Sequence, residues 1–353
     1  MNKQIGNLLV FVGFLFFGYS QSQEQIENKY SEITFDVFSE DPILPIKLFY
    51  SIKDIKKNTN DSTYIDSDLI YQSKDGIWQT LPVKLRRRGN YRLKNCYFPP
   101  LKVKLKKSDS KNTLFEGHKN LKIVLPCLLQ NDNNDNVVKE YLAYKFFEII
   151  SPNYYKTRLL DIEFEEERGN KSKLHHIKGI LIEDDKNVAK RLNGKVYERD
   201  MHPLNQEAMA SVRNAFFQYM IGNTDFSQAY QHNITVIYAN QNMIPIPFDF
   251  DMSGFVNTSY AVVSEINGES LGMSSVTDRK YRGFVRDINI YEQVRQEFLN
   301  KKSEMLSALD ENVSFFTNSN EFETAKEYIL SFYEVLVNNS KFKSEIVDQA
   351  RTN

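Results

Sequence analysis

The strongest constraint on this chain is that its hydrophobic period changes part-way along it. In the first half, β-type runs recur at Glu32 to Val37, Ile43 to Ser51, Tyr64 to Gln72, Trp78 to Leu85 and Pro100 to Leu105. In Leu101-Lys102-Val103-Lys104-Leu105 apolar and basic residues alternate, so a strand there turns Leu101, Val103 and Leu105 to one face and both lysines to the other. Leu159 to Glu165 and Ile177 to Glu183 read as a further pair around a polar turn, Glu166 to Ser172, and Glu183-Asp184-Asp185 follows as a hinge. One helix interrupts the strands: Val137 to Ile150 carries Val138, Leu142, Phe146 and Ile149 on one stripe. From Gln206 onward helical spacing dominates, notably in Ile290 to Leu309 and Phe322 to Val337, after a helix at Asn205 to Ile221. Strands first and helices later describe an α+β chain, sheet-rich over 25–190 and helical over 191–353.

A chain of 353 residues, 41% hydrophobic and 26% charged, can bury a large core. Its net charge of -1 argues against electrostatic attachment to nucleic acid or anionic lipid as its main purpose. Lys3, the apolar run Leu8 to Phe17 and the small residues around Gly18-Tyr19-Ser20 read as a signal peptide over 1–20. The mature protein is then expected in the periplasm, at the cell surface or outside the cell. The apolar run is about half of the roughly 20 residues that cross a bilayer, and nothing later is longer, so no transmembrane span is expected in the mature chain. An oxidising compartment permits Cys96 and Cys127 to pair; two buried thiols are the alternative.

The chemistry gathers in Asn223-Thr224-Asp225, His232-Asn233 and Asp249-Phe250-Asp251. Between them, Ile234 to Tyr238, a turn at Asn240-Gln241-Asn242 and Met243 to Phe248 read as a hairpin that brings Asn233 and Asp249 together. Carboxylate and amide oxygens are the ligands magnesium prefers, so Asn233 and Asp249 read as a metal pair. Asp251 is either a further ligand or the cap of the next turn. Asp225, on the loop before the hairpin, is placed to accept a proton from an acceptor hydroxyl. Taken singly, each of these segments is an ordinary turn sequence; together with the hairpin they point to phosphoryl transfer.

Several basic residues are candidates for the phosphates. Arg88 lies in Arg86-Arg87-Arg88-Gly89-Asn90, and Lys102 or Lys104 lies on the strand already described, where a solvated face is the equal alternative. Glu140 either pairs with a phosphate-binding lysine or favours only the helix N-terminus. No Gly-x-Gly-x-x-Gly loop or Walker motif is present, so the Arg88-Gly89 turn would have to substitute for a glycine-rich cover, and no His-Glu-x-x-His helix is present, which argues against a zinc hydrolase.

On these residues the chain resembles the atypical protein kinases of the spore-coat CotH type and, more distantly, HipA-like kinases. The resemblance is carried by Arg88-Gly89-Asn90, Tyr97 to Leu105, Asn223-Thr224-Asp225 with His232-Asn233, and Phe248-Asp249-Phe250-Asp251. Asn233 follows Asp225 by eight residues, a wider gap than the kinase pattern has. The resemblance implies a bilobed atypical protein-kinase-like fold and the use of ATP with Mg2+ or Mn2+. It also implies an enzyme that phosphorylates a protein hydroxyl, which the expected signal peptide makes an exported one. A non-catalytic envelope or secreted binding protein on the same scaffold is the alternative.

Overall fold

The computed structural model describes residues 36–39, 43–89, 91–129, 133–266 and 269–352. The expected signal peptide, most of the first expected strand and Asn90 lie outside the described residues.

Seven strands close into a barrel in the order β1-β2-β3-β4-β5-β7-β6. They are β1 (Ile43–Tyr50), β2 (Ile65–Gln72), β3 (Trp78–Arg87), β4 (Leu101–Leu105), β5 (Asn120–Val124), β6 (Thr157–Arg168) and β7 (Lys171–Glu183). Neighbours run antiparallel except at the seam, where β1 lies parallel to β6 from Ile43 opposite Leu159 to Tyr50 opposite Glu166. Alternation decides what points inward. In β1, Leu44, Ile46, Leu48 and Tyr50 are buried, and they meet Leu85, Leu101, Leu121, Ile162 and Phe164 in the interior.

This barrel overturns the bilobed, protein-kinase-like fold expected from the resemblance. The sheet-rich part is closed on itself, and the helices stand mostly outside it. Alternation reports which face of a strand is buried, and that much was read correctly for β4. It carries no information about whether the last strand returns to the first, which here depends on β6 pairing with β1 on one side and β7 on the other.

The β6–β7 hairpin is also longer than its sequence suggests. Polar residues from Glu166 to Arg168 continue the strand because Glu166 is buried and accepts hydrogen bonds from Tyr97 Oη (2.7 Å) and Arg168 Nη2 (2.7 Å), with His175 Nε2 2.9 Å away. The chain reverses only at Gly169, whose φ of +64° suits glycine.

The helices pack on one side of the barrel. α1 (Asn133–Ile150), α2 (Asp185–Arg191), α3 (Ala208–Met220), α4 (Ile288–Asn300), α5 (Lys302–Glu311) and α6 (Ser319–Val337) surround a second core. In it Leu142, Phe146, Phe217, Phe298 and Phe332 cluster with Val124, Leu159, Ile180 and Ile182 on the outer wall of β5, β6 and β7. Those strands are therefore apolar on both faces. The expected helix Ile290 to Leu309 is two helices, broken at Lys301, whose N–H reaches back to the carbonyls of Glu297 and Phe298. A small sheet, β10-β9-β8, stands beside the barrel and is built from β8 (Lys195–Tyr197), β9 (Ile234–Ala239) and β10 (Asn242–Pro247). A two-stranded pair, β11 (Glu265–Ile266) and β12 (Glu269–Ser270), follows it. Cys96 and Cys127 are joined in a disulfide with their Cα atoms 4.5 Å apart. Among the described residues no helix is long and apolar enough to cross a membrane.

Candidate functional site

The β9–β10 hairpin forms where expected. Asn240 and Gln241 both take positive φ, as a two-residue hairpin turn requires, and Ile234 pairs with Pro247 at the open end. There the Phe248 N–H donates to the Asn233 carbonyl at 3.0 Å, which sets Asn233 beside the segment leading into Asp249. Both residues sit in the left-handed region, Asn233 at φ 52° and Asp249 at φ 64°, which their short polar side chains tolerate.

Asp225 is delivered to the same end by the loop after α3. The chain turns at Gly222, where φ is +61° and a Cβ would stand 2.0 Å from the Tyr328 hydroxyl oxygen. Asn223 Oδ1 then accepts the Asp225 N–H at 3.0 Å. The Asp225 carboxylate lies 2.9 Å from His232 Nε2, and Asn233 Nδ2 donates to its carbonyl (2.8 Å) and to its Oδ2 (3.2 Å). The hydrogen bond to Asp225 raises the His232 pKa against the opposing effect of burial. Asp225 and His232 remain partly open to solvent.

Asp249 is held by its backbone, its N–H donating to the Tyr144 hydroxyl of α1 at 2.9 Å. Phe250 is buried against Tyr144 and Phe217. Asp251 is buried and accepts from Tyr260 Oη at 2.9 Å. Burial pushes the Asp251 carboxyl up, and the charges of Asp249 and Asp225 push it further, so all three aspartates act on one locality. Glu140 is raised as well, first by burial and then by Asp251 and Asp249, against the pull of Arg92. Arg92 lies 3.8 Å from Glu140 and 3.7 Å from Asp251, and its neighbours hold it charged despite burial. Burial is the main reason that both carboxyls shift upward although each has an arginine beside it, and the neighbouring acids add to it.

The basic wall is the outer face of β3, β4 and β5, where Arg86 stands opposite Lys102 and Lys102 opposite Lys122. Lys102 pairs with Asp184 at 3.0 Å. Lys122 pairs with Asp185 under the rings of Tyr155 and Phe248, the latter adjoining Asp249. Burial pulls the Lys122 pKa down while Asp185 opposes the shift. These pairs also pin the expected hinge, since Asp184 caps α2 and Asp185 begins it. Arg88 is half-buried, and its charge bears on Lys122, Asp185 and Tyr144, the tyrosine that holds Asp249. Among the described residues its guanidinium has no carboxylate within ion-pair distance.

The structure therefore brings Asp225, Asn233, Asp249, Asp251, Glu140 and Arg88 to one region, with Lys102 at its edge. Lys104 stands apart, over the Tyr64 ring, and lines a groove of about 1230 Å³ with Lys84, Lys107, Lys111 and Lys190. A second groove of about 910 Å³ runs past Asp36, Lys74 and Arg191. Neither contains the acid cluster, whose own enclosed space is about 10 Å³, room for about one water. Sequence reasoning missed Arg92, Lys122, Tyr144 and Asp185. Of these only Lys122 carried a signal, because Leu121-Lys122-Ile123 repeats the alternation that drew attention to Lys102.

Among the described residues no group of three or more His, Cys, Asp or Glu side chains is gathered closely enough to hold a metal ion. Magnesium asks for less, one or two protein oxygens with water and phosphate completing the shell. Among the described residues the Asp249 carboxylate and the Asn233 amide oxygen accept no hydrogen bond, so two hard donors are left open at the hairpin's end. Compared with models of known protein families, the chain matches none, and no curated protein matches it. The resemblance to CotH-type kinases accordingly rests on the residues quoted for it.

Proposed function

We propose that the chain binds a nucleoside triphosphate with a divalent metal between the Asp225–Asp249 end of the hairpin and the basic outer wall of the barrel, and passes a phosphoryl group to a protein hydroxyl. The observation that carries this reading is that the Asp249 carboxylate and the Asn233 amide oxygen accept no hydrogen bond among the described residues, while the charge of Arg88, which among those residues has no carboxylate within ion-pair distance, bears on Tyr144, the tyrosine that holds Asp249. Bound metal would neutralise phosphate charge there. Asp249 and Asn233 would hold it, with Asp251 behind them. Arg88 would grip phosphate oxygens, with Lys102 and Lys122 held behind it by Asp184 and Asp185. Asp225, oriented by His232 and Asn233, would accept the proton of the acceptor hydroxyl. The CotH resemblance supplies the reaction class alone, since the closed barrel departs from the fold it implies. The Cys96–Cys127 bond supports an exported address.

One feature favours the second reading, a secreted protein that binds without transferring. The Asp225 carboxylate is already engaged by His232 and Asn233, which weakens it as a base. Calorimetry with Mg-ATP and a transfer assay with labelled ATP separate the two. Phosphoryl transfer predicts that Asp249→Ala loses binding, and that Asp225→Ala keeps binding but slows transfer roughly 10²- to 10⁴-fold. Binding by the unsubstituted chain with no transfer to any acceptor selects the second reading. No binding at all removes the first reading and leaves a binding protein whose ligand is not Mg-ATP.

A further inference from the structure

We propose that Arg92 is the positioning residue of the acid cluster and that the Cys96–Cys127 bond holds it in place. Arg92 is 6% exposed, so it cannot itself meet a ligand in the open part of the cleft. Its Nη1 approaches Glu140 on α1, and its Nε approaches Asp251, two residues beyond Asp249. It thereby ties the helix whose Tyr144 holds Asp249 to the segment that follows Asp249.

Neither approach is a hydrogen bond. Among the described residues Nε and Nη1 have no hydrogen-bond partner, and neither has Glu140 Oε1. Within that set the one hydrogen bond of the guanidinium runs from Nη2 to the Leu125 carbonyl. A side chain tied so lightly at its tip keeps its place through its backbone. Arg92 lies in the short helical turn Tyr91–Asn95, and its carbonyl accepts the Cys96 N–H at 2.9 Å. Cys96 is bonded to Cys127, whose carbonyl accepts the Tyr97 N–H at 2.7 Å. Lys56 Nζ donates to the Cys96 carbonyl at 2.8 Å. The segment from Leu125 to Cys127 therefore anchors Arg92 twice, at its guanidinium and just beyond its backbone. Cys127 also lines the small cavity with Arg92, Glu140, Asp251 and Tyr260, and one water there would bridge the unpartnered atoms. Both cysteines are almost wholly buried, at 3% and 2% exposed, so the bond is a fixture and not a thiol-exchange switch.

The effect on Asp249 rests on the proposed function; the effect on the Asp251 segment does not. The test measures both, using Arg92→Met, Arg92→Lys, Cys96→Ala with Cys127→Ala, and Arg92→Met combined with the cysteine changes. Amide hydrogen exchange over residues 249–258 without ligand is expected to quicken in Arg92→Met and in the cysteine variant, and to be no faster when they are combined, since both remove one support. Mg-ATP affinity is expected to fall roughly 10- to 100-fold in each, with the transfer rate at saturating nucleotide little changed. Arg92→Lys, which keeps the charge without the fork, should fall between; it carries the comparison if Arg92→Met does not fold. Additive effects, or unchanged exchange with unchanged affinity, would overturn the proposal. Quickened, non-additive exchange in a chain that binds no Mg-ATP would uphold the role of Arg92 and remove the proposed function.

Discussion

Inside the barrel, Leu48, Leu85, Leu101, Leu121 and Phe164 fill space and ask only for contact. On the outer side of the same wall and along α1, Lys122, Arg92, Glu140 and Asp251 are buried to a similar degree, yet each needs an opposite charge nearby. The interior gains free energy from removing apolar surface from water. The cleft gives some of it back, because desolvating ions costs more than their pairing returns unless the geometry is good. A chain holds such an arrangement when the charges do something. The contrast teaches where to look for function here: at charges that remain buried beside a well-packed barrel, and not in the two grooves that the acid cluster avoids.

The sharpest way to break the comparison is to damage the barrel alone. Phe164→Ala removes a fully buried ring stacked on Tyr50 and should cost about 3 to 5 kcal/mol in denaturant unfolding. Mg-ATP affinity per folded molecule should stay the same. A parallel fall in affinity would show that the two regions are not separable.

A smaller effect tests the cleft. Lys122→Met strands Asp185, whose carboxylate is partly open to water, and should cost about 1 to 3 kcal/mol. Lys122→Met with Asp185→Asn should recover part of that, as the pairing cost predicts. Equal losses in the single and double variants would mean that Lys122 serves the core by packing alone.

The smallest effect concerns pH. Asp36 lies 2.7 Å from Lys156 and 3.0 Å from His118. Burial alone would raise its pKa, but hydrogen bonds from His118, Lys156 and the Phe38 N–H hold it well below the usual carboxylate range. A carboxyl depressed in the folded state binds fewer protons there than when unfolded, so its stabilisation is full above about pH 4 and is lost as pH falls toward the folded value. Asp36→Asn should flatten the acid side of the stability curve without moving its neutral plateau. The buried carboxyls of Glu140 and Asp251 contribute in the opposite sense: raised by burial, they take stability away as pH climbs from the ordinary carboxylate range up through their folded values.

The hairpin carrying Asn233 and Asp249 was legible because two apolar runs flank a polar turn, a signal contained in fourteen consecutive residues, 234–247. Asp225 was legible for the same local reason. Arg92 was not. It ends the run Arg86 to Arg92, whose charge reads as one exposed or phosphate-binding patch, and only the disulfide four residues on and two acids far along the chain select it for burial. Glu140 was read as either a lysine partner or a dipole ornament, and its partner proved to be that arginine. Barrel closure was illegible for a related reason, since it depends on which distant strand β1 meets and not on anything within β1.

That seam has a consequence for how the protein is made. Lys47 and Glu163, bonded across it at 2.9 Å, are 116 residues apart, so β1 leaves the ribosome long before its parallel neighbour exists. Non-local pairings of this kind are slow to form. Until β6 is synthesised, one side of β1 is a bare row of backbone donors and acceptors, the sort of edge on which nascent chains stick to one another. A chain terminated before residue 157 would keep that edge permanently, and should be recovered as aggregate even though five of the seven barrel strands are present.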